Sequence, residues 1–103
     1  LLLRFKMTDS LLETIEIPLS RPYEIDGVAH DKLTMFEPKL RDKILYSKDK
    51  GTEDEKSARM IARLLNVKDT DLMNLPSCDF ARLEDAFNEM VKDPVDRNMK
   101  LFS

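Results

Sequence analysis

An α+β fold, with an N-terminal β-hairpin followed by a small bundle of three to four α-helices, is what this 103-residue sequence predicts. Three observations lead there. Apolar residues alternate with polar ones between Leu12 and Phe36, a period of two that fits half-buried strands. An Asp26-Gly27 pair sits inside that stretch, and Asp-Gly is a preferred type I′ hairpin turn because both turn positions need positive φ. From Glu37 onward the apolar residues recur instead at spacings of three and four, the period of an amphipathic helix.

The first arm carries Ile15, Ile17 and Leu19, alternating with Thr14, Glu16 and Pro18, and continues through Tyr23 and Ile25. A turn at Asp26-Gly27 places Ile25 opposite Val28, Tyr23 opposite His30 and Leu19 opposite Thr34. Pro18 and Pro22 cannot donate ladder hydrogen bonds, so they mark an edge, a bulge or a break in this arm. Pro38 suits the first turn of a helix reaching to about Ser47, with Leu40, Ile44 and Leu45 as its apolar side. After the polar connection SKDKG, Thr52 to Glu55 (TEDE) has the pattern of a capping box. The helix it opens runs to about Asn66 and turns Ala58, Ile61, Ala62 and Leu65 to one core. A short helix follows near Thr70 to Leu75. Ser77 can cap the next one, with Asp79 favourable in its first turn. Phe80, Leu83, Phe87, Met90 and Val91 form that helix's stripe, and Pro94 stops it. Residues 7–93 thus form a single domain and residues 94–103 a C-terminal tail that frays or adds one more turn. Residues 1–6 precede a Met7-Thr-Asp-Ser segment that resembles an ordinary protein start. They are expected to derive from cloning or upstream translation.

The totals narrow the function. A chain this short buries a modest core, so a bound partner adds appreciably to its stability. The net charge is −3 and no block of Lys and Arg stands out, which argues against binding nucleic acid through its phosphates. No apolar run reaches the roughly 18 residues that a membrane span needs. One cysteine excludes an internal disulfide and a zinc cluster.

Candidate chemistry is sparse. His30, the only histidine, lies between Asp26 and Asp31, but the register sends His30 and Asp31 to opposite faces and leaves Asp26 in the turn. That suits a cross-strand neighbour of Tyr23 better than a metal ligand or a base. Cys78 stands near a helix start, where thiol pKa falls, but Asp79 beside it opposes a thiolate and a base would have to be His30. A small buried or semi-buried packing residue is the better reading. Glu53, Asp54 and Glu55 form a solvated helix first turn, without the burial that keeps a catalytic carboxyl protonated. Gly27 and Gly51 stand alone, so no phosphate loop is possible. No enzymatic role, cofactor or metal is indicated.

Surfaces remain. Six methionines are many for this length, and methionine serves both as core filler and as an adaptable contact for varied helices. Met60 lies away from the Ala58, Ile61 and Leu65 stripe, with Leu64 beside it. Such a second patch packs on another helix of the fold or meets a partner. Met99, Leu101 and Phe102 are apolar residues in the tail with no clear place in the core. Met60, Leu64, Met99, Leu101 and Phe102 are therefore the candidate partner-binding residues.

The order of these features resembles the E-like tail assembly chaperones of contractile-tailed bacteriophages. The resemblance is carried by IEIPLSRPYEIDGVAHDKLTMFEPKLRD, EKSARMIARLLNV and DLMNLPSCDFARLEDAFNEM, which span about Ile15 to Met90. The helix start Asp79, Phe80 and Leu83 matches the family's habit. At the strand exit the family tends to a hydrophobic-Arg-Pro sequence, where this chain has LTMFEPKLRD. The residues before Met7 and the length beyond Pro94 depart from the pattern. The resemblance implies transient binding of the tape measure protein, the long helical protein that sets tail length. It implies keeping that protein soluble and promoting tail tube assembly around it, with the tail tube protein as a second contact. It also implies self-association, a place in the host bacterial cytoplasm and absence from the mature virion. It supplies no catalytic residue. The alternatives are a structural component of the tail or baseplate, a small nucleic-acid-binding regulator, and an enzyme built on His30 and Cys78.

Overall fold

The computed structural model describes residues 14–98. Two antiparallel strands, β1 (Thr14–Ile25) and β2 (Val28–Phe36), form a hairpin. Three helices follow: α1 (Leu40–Lys48), α2 (Glu53–Leu65) and α3 (Ser77–Met90). Single 3-10 turns lie at Asp69–Leu72 and Pro94–Asp96. This is the α+β architecture that the sequence predicts.

The hairpin tip is the expected one. Asp26 and Gly27 have φ of 52° and 78°, the positive values that a type I′ turn requires. Ile25 faces Val28 and Tyr23 faces His30. Farther from the turn the register differs from the simple extrapolation. Thr34 stands opposite Glu16 rather than Leu19, because β1 bulges between Pro18 and Tyr23. Residues 19–22 there oppose Asp31 alone. Neither proline can join the ladder as a donor, so the extra residues loop out where they fall. The slip is odd, and that matters. An unbroken register would place Ile17 opposite Phe36. The bulge instead pairs Ile17 with Leu33 and Ile15 with Met35, and all four are buried.

That apolar face packs on α2 and α3. Ile17 and Met35 on the sheet and Leu83 on α3 are completely buried. Each such side chain contributes roughly 1.5–3 kcal/mol. On α2, Ile61, Ala62 and Leu65 turn inward as their spacing dictates, and Met60 and Leu64 are buried with them. The helix starts at the expected box: Glu55 N–H donates to Thr52 Oγ1 at 3.2 Å, and Thr52 N–H donates to Glu55 Oε1 at 2.9 Å. It ends at Asn66, which adopts a left-handed conformation with φ of 58°.

Several local expectations need correction; Pro38 lies before the Lys39 cap rather than in the first turn of α1, and Val91 is exposed rather than part of the packed stripe of α3. Leu40, Ile44 and Leu45 do not form a packed side of α1; all three are exposed, and Asp42 and Tyr46 turn inward instead. Asp42 accepts from Lys39 N–H at 2.9 Å and comes within 3.9 Å of Arg63 on α2. Tyr46 is held by Glu53 and by Lys56 above its ring. These polar contacts fix the rotation of α1, and the apolar residues end on the outside. Ser77 is the first helical residue of α3, and Pro76 occupies the cap position. Cys78 is exposed rather than a packing residue.

Candidate docking groove

α2 lies between α1 and α3, and these helices line a groove of about 900 Å³. Its walls follow from helix periodicity. On α3 and its C-terminal cap residue, Glu84, Phe87, Asn88 and Val91 recur at spacings of three and four and so share one face. On the opposite wall Lys39, Leu40, Lys43 and Tyr46 do the same. Ser57, Met60 and Ile61 of α2 lie between them. Pro38, Asp93, Pro94 and Arg97 belong to the lining near the start of α1 and the end of α3.

The lining is apolar within and charged at the rim. Met60, Ile61 and Met90 are buried, Phe87 is half-buried, and Leu40 and Val91 are 72% and 58% exposed. Methionine suits such a site because its unbranched, polarizable side chain adapts to differing shapes. The Lys43 side chain has no hydrogen-bond or ion-pair partner among the described residues, nor has that of Glu84.

One end is fastened by polar contacts. The Arg97 side chain is 2% exposed and donates from Nη2 to Glu37 and to the Met90 carbonyl, and from Nε to the Lys92 carbonyl. Glu89, itself buried, accepts from Asn98 N–H at 2.6 Å and from Lys92 Nζ at 2.9 Å. The Arg97 guanidinium holds the Glu37 carboxyl below its ordinary range. The Asn98 amide, and after it Lys92, do the same for Glu89. Residues 94–98 are thus strapped across the end of α3.

Of the sequence-predicted partner residues, Met60 is 6% exposed and reaches the groove lining. Leu64 is 3% exposed and packs in the core. Met99, Leu101 and Phe102 lie outside the described residues. His30 stands beside Tyr23 in the ladder, and Cys78 Sγ lies 3.8 Å from Ser20 Oγ in the bulge. No group of three or more possible metal ligands occurs among the described residues. Sequence reasoning missed Leu40, Lys43 and Glu84. The signal for the α3 wall was the spacing of Glu84, Asn88 and Val91. Nothing local signals the α1 wall, because the rotation of α1 depends on Arg63 and Glu53 of another helix.

A family profile described as "Phage tail assembly chaperone proteins, E, or 41 or 14" matches residues 16–92. The chain belongs to this family. The match runs from Glu16 in β1 to just past α3, and so contains all three helices that line the groove. Searches of curated proteins and of solved structures return no match. For this tail assembly chaperone, membership implies a role with the tail assembly machinery.

Proposed function

We propose that this tail assembly chaperone transiently binds the tape measure protein, keeps it soluble and promotes assembly of the tail tube around it. Family membership over residues 16–92 carries the reading. The groove supports it on physical grounds. A long helical client exposes apolar stripes until it is encased, and a methionine-lined concavity covers such stripes without demanding one side-chain shape. The net charge of −3 on the chaperone helps the complex stay in solution. The same reading places the protein in the host bacterial cytoplasm and outside the finished virion, with the tail tube protein as a second contact. Co-expression with the tape measure protein of the same phage is the test. The client should move to the soluble fraction and co-purify; an unchanged solubility with no co-purification would sink the reading. Mass spectrometry of purified particles addresses the transient part, since a stoichiometric amount in mature tails would mean a structural role instead.

A further inference from the structure

We propose that the groove between α1 and α3 takes a single client helix in one orientation, read by charge. The helix would have an apolar stripe flanked by acidic residues on one side and basic residues on the other. This rests on the chaperone reading and specifies the part of the client that the site accepts.

Three observations point to such an occupant. First, the groove has the form that a missing helix would fill: α2 lies between two helical walls, each presenting residues at spacings of three and four. Second, apolar side chains remain uncovered there. Leu40 and Val91 are among the most exposed large apolar residues of the molecule, and they belong to opposite walls above buried Met60 and Met90. Third, the rims carry opposite unpaired charge. The α1 rim has Lys39 and Lys43 beside Glu37, and the α3 rim has Glu84 and Asp93 beside Lys92. Glu37 is engaged with Arg97 and with Lys39, the latter at 3.5 Å, and Lys92 is engaged with Glu89, whereas the side chains of Lys43 and Glu84 have no partner among the described residues. An apolar cleft with an unpaired cation on one side and an unpaired anion on the other complements a helix of matching polarity. Turning that helix end for end exchanges its flanks and sets like charge against like. The charges therefore select direction, and the apolar floor supplies most of the affinity.

The test uses the full chain and overlapping fragments of the tape measure protein, with affinity measured by calorimetry. A fragment of the stated pattern should bind. Lys43→Glu and Glu84→Lys should each weaken it about three- to tenfold at low salt, with the loss shrinking as salt rises. Reversing the facing charges in the fragment should restore the affinity of each variant. Leu40→Asp and Val91→Asp should weaken binding at least tenfold at any salt. Because all four side chains project into solvent, melting temperatures should hardly change.

The outcomes separate the two readings. If fragments bind and neither charge reversal alters the affinity, the groove proposal is overturned while the chaperone reading stands. If no fragment and no intact tape measure protein binds, both fall. If the reversals change the oligomeric state or the melting temperature rather than client affinity, the groove belongs to a second copy or to the chain's own ends, and the proposal is again overturned.

Discussion

The hairpin-packed core and the groove are finished to different degrees. In the core the apolar surface is sealed and the awkward backbone is tied down. The β1 bulge would leave Ser20 without a ladder partner, and α3 supplies one: Asp79, fully buried, accepts from Ser20 N–H at 2.8 Å and from Ser20 Oγ at 2.9 Å. Nearby, Tyr23 donates to the Asp71 carbonyl and ties the first arm to the 3-10 turn. In the groove the pattern is reversed. Leu40 and Val91 stay exposed, and the side chains of Lys43 and Glu84 stay unpaired among the described residues. A domain with so small a core leaves apolar area uncovered only at some cost in solubility. The contrast teaches that stability is concentrated where the hairpin packs, and that the groove is left open for the proposed client.

Substitutions can break this contrast or sharpen it. The largest effect is expected from Asp79→Ala, which removes two hydrogen bonds from a buried carboxylate to Ser20 in the bulge. It should cost about 3 kcal/mol, read as a melting temperature lowered by roughly 12–24 °C. A drop of only a few degrees would mean that the bulge is anchored otherwise. Gly27→Val comes next. Nothing crowds a Cβ at that position, so the penalty is purely the left-handed backbone, about 2 kcal/mol by chemical denaturation. Leu40→Asp should do the opposite of both: stability within about 0.5 kcal/mol of the parent, but client affinity lowered at least tenfold. Equal losses of stability and binding there would erase the distinction between the two regions.

Acid should loosen the groove's closing strap while the sheet holds. Glu37 and Glu89 both have folded-state pKa values below the ordinary 4.5, so their contribution is present above that value and is lost as pH falls through the lower folded values. Protection of the Asn98 amide, relative to its intrinsic exchange rate at the same pH, should therefore fall below about pH 4.5, ahead of protection at Leu33 or Met35. A simultaneous loss of protection at all three would contradict a separate strap. The smallest effect belongs to His30→Ala, on the half-buried rim of the hairpin. It should change stability by less than about 0.5 kcal/mol and leave client binding as it was.

Much of the fold was legible locally. The Asp26-Gly27 turn, the Thr52–Glu55 capping box and the inward face of α2 each depend on residues within a few positions of one another, so propensity and period sufficed. The prolines announced an interruption in β1 but not its size. Three extra residues were accommodated there because only an odd slip pairs Ile17 with Leu33 and Ile15 with Met35, and that preference is expressed by the helices beneath. The groove was hardly legible at all. Periodicity gave α1 an inward face of Leu40, Ile44 and Leu45, and the structure turned it outward.

The sequence by itself determined the class of fold, the position of the turn, the boundaries of α2 and the resemblance to tail assembly chaperones, which the family match bears out. Only the tertiary structure decided which apolar residues are core and which are surface. Met60 and Leu64 look alike on a helical wheel to Leu40 and Ile44, yet the first pair is buried and the second exposed. The physical reason is that a wheel records angles about one axis, whereas burial depends on what the neighbouring element offers. Arg63 and Glu53 on α2 offer α1 charge, so α1 answers with Asp42 and Tyr46, and Leu40 is left to line the way into the groove.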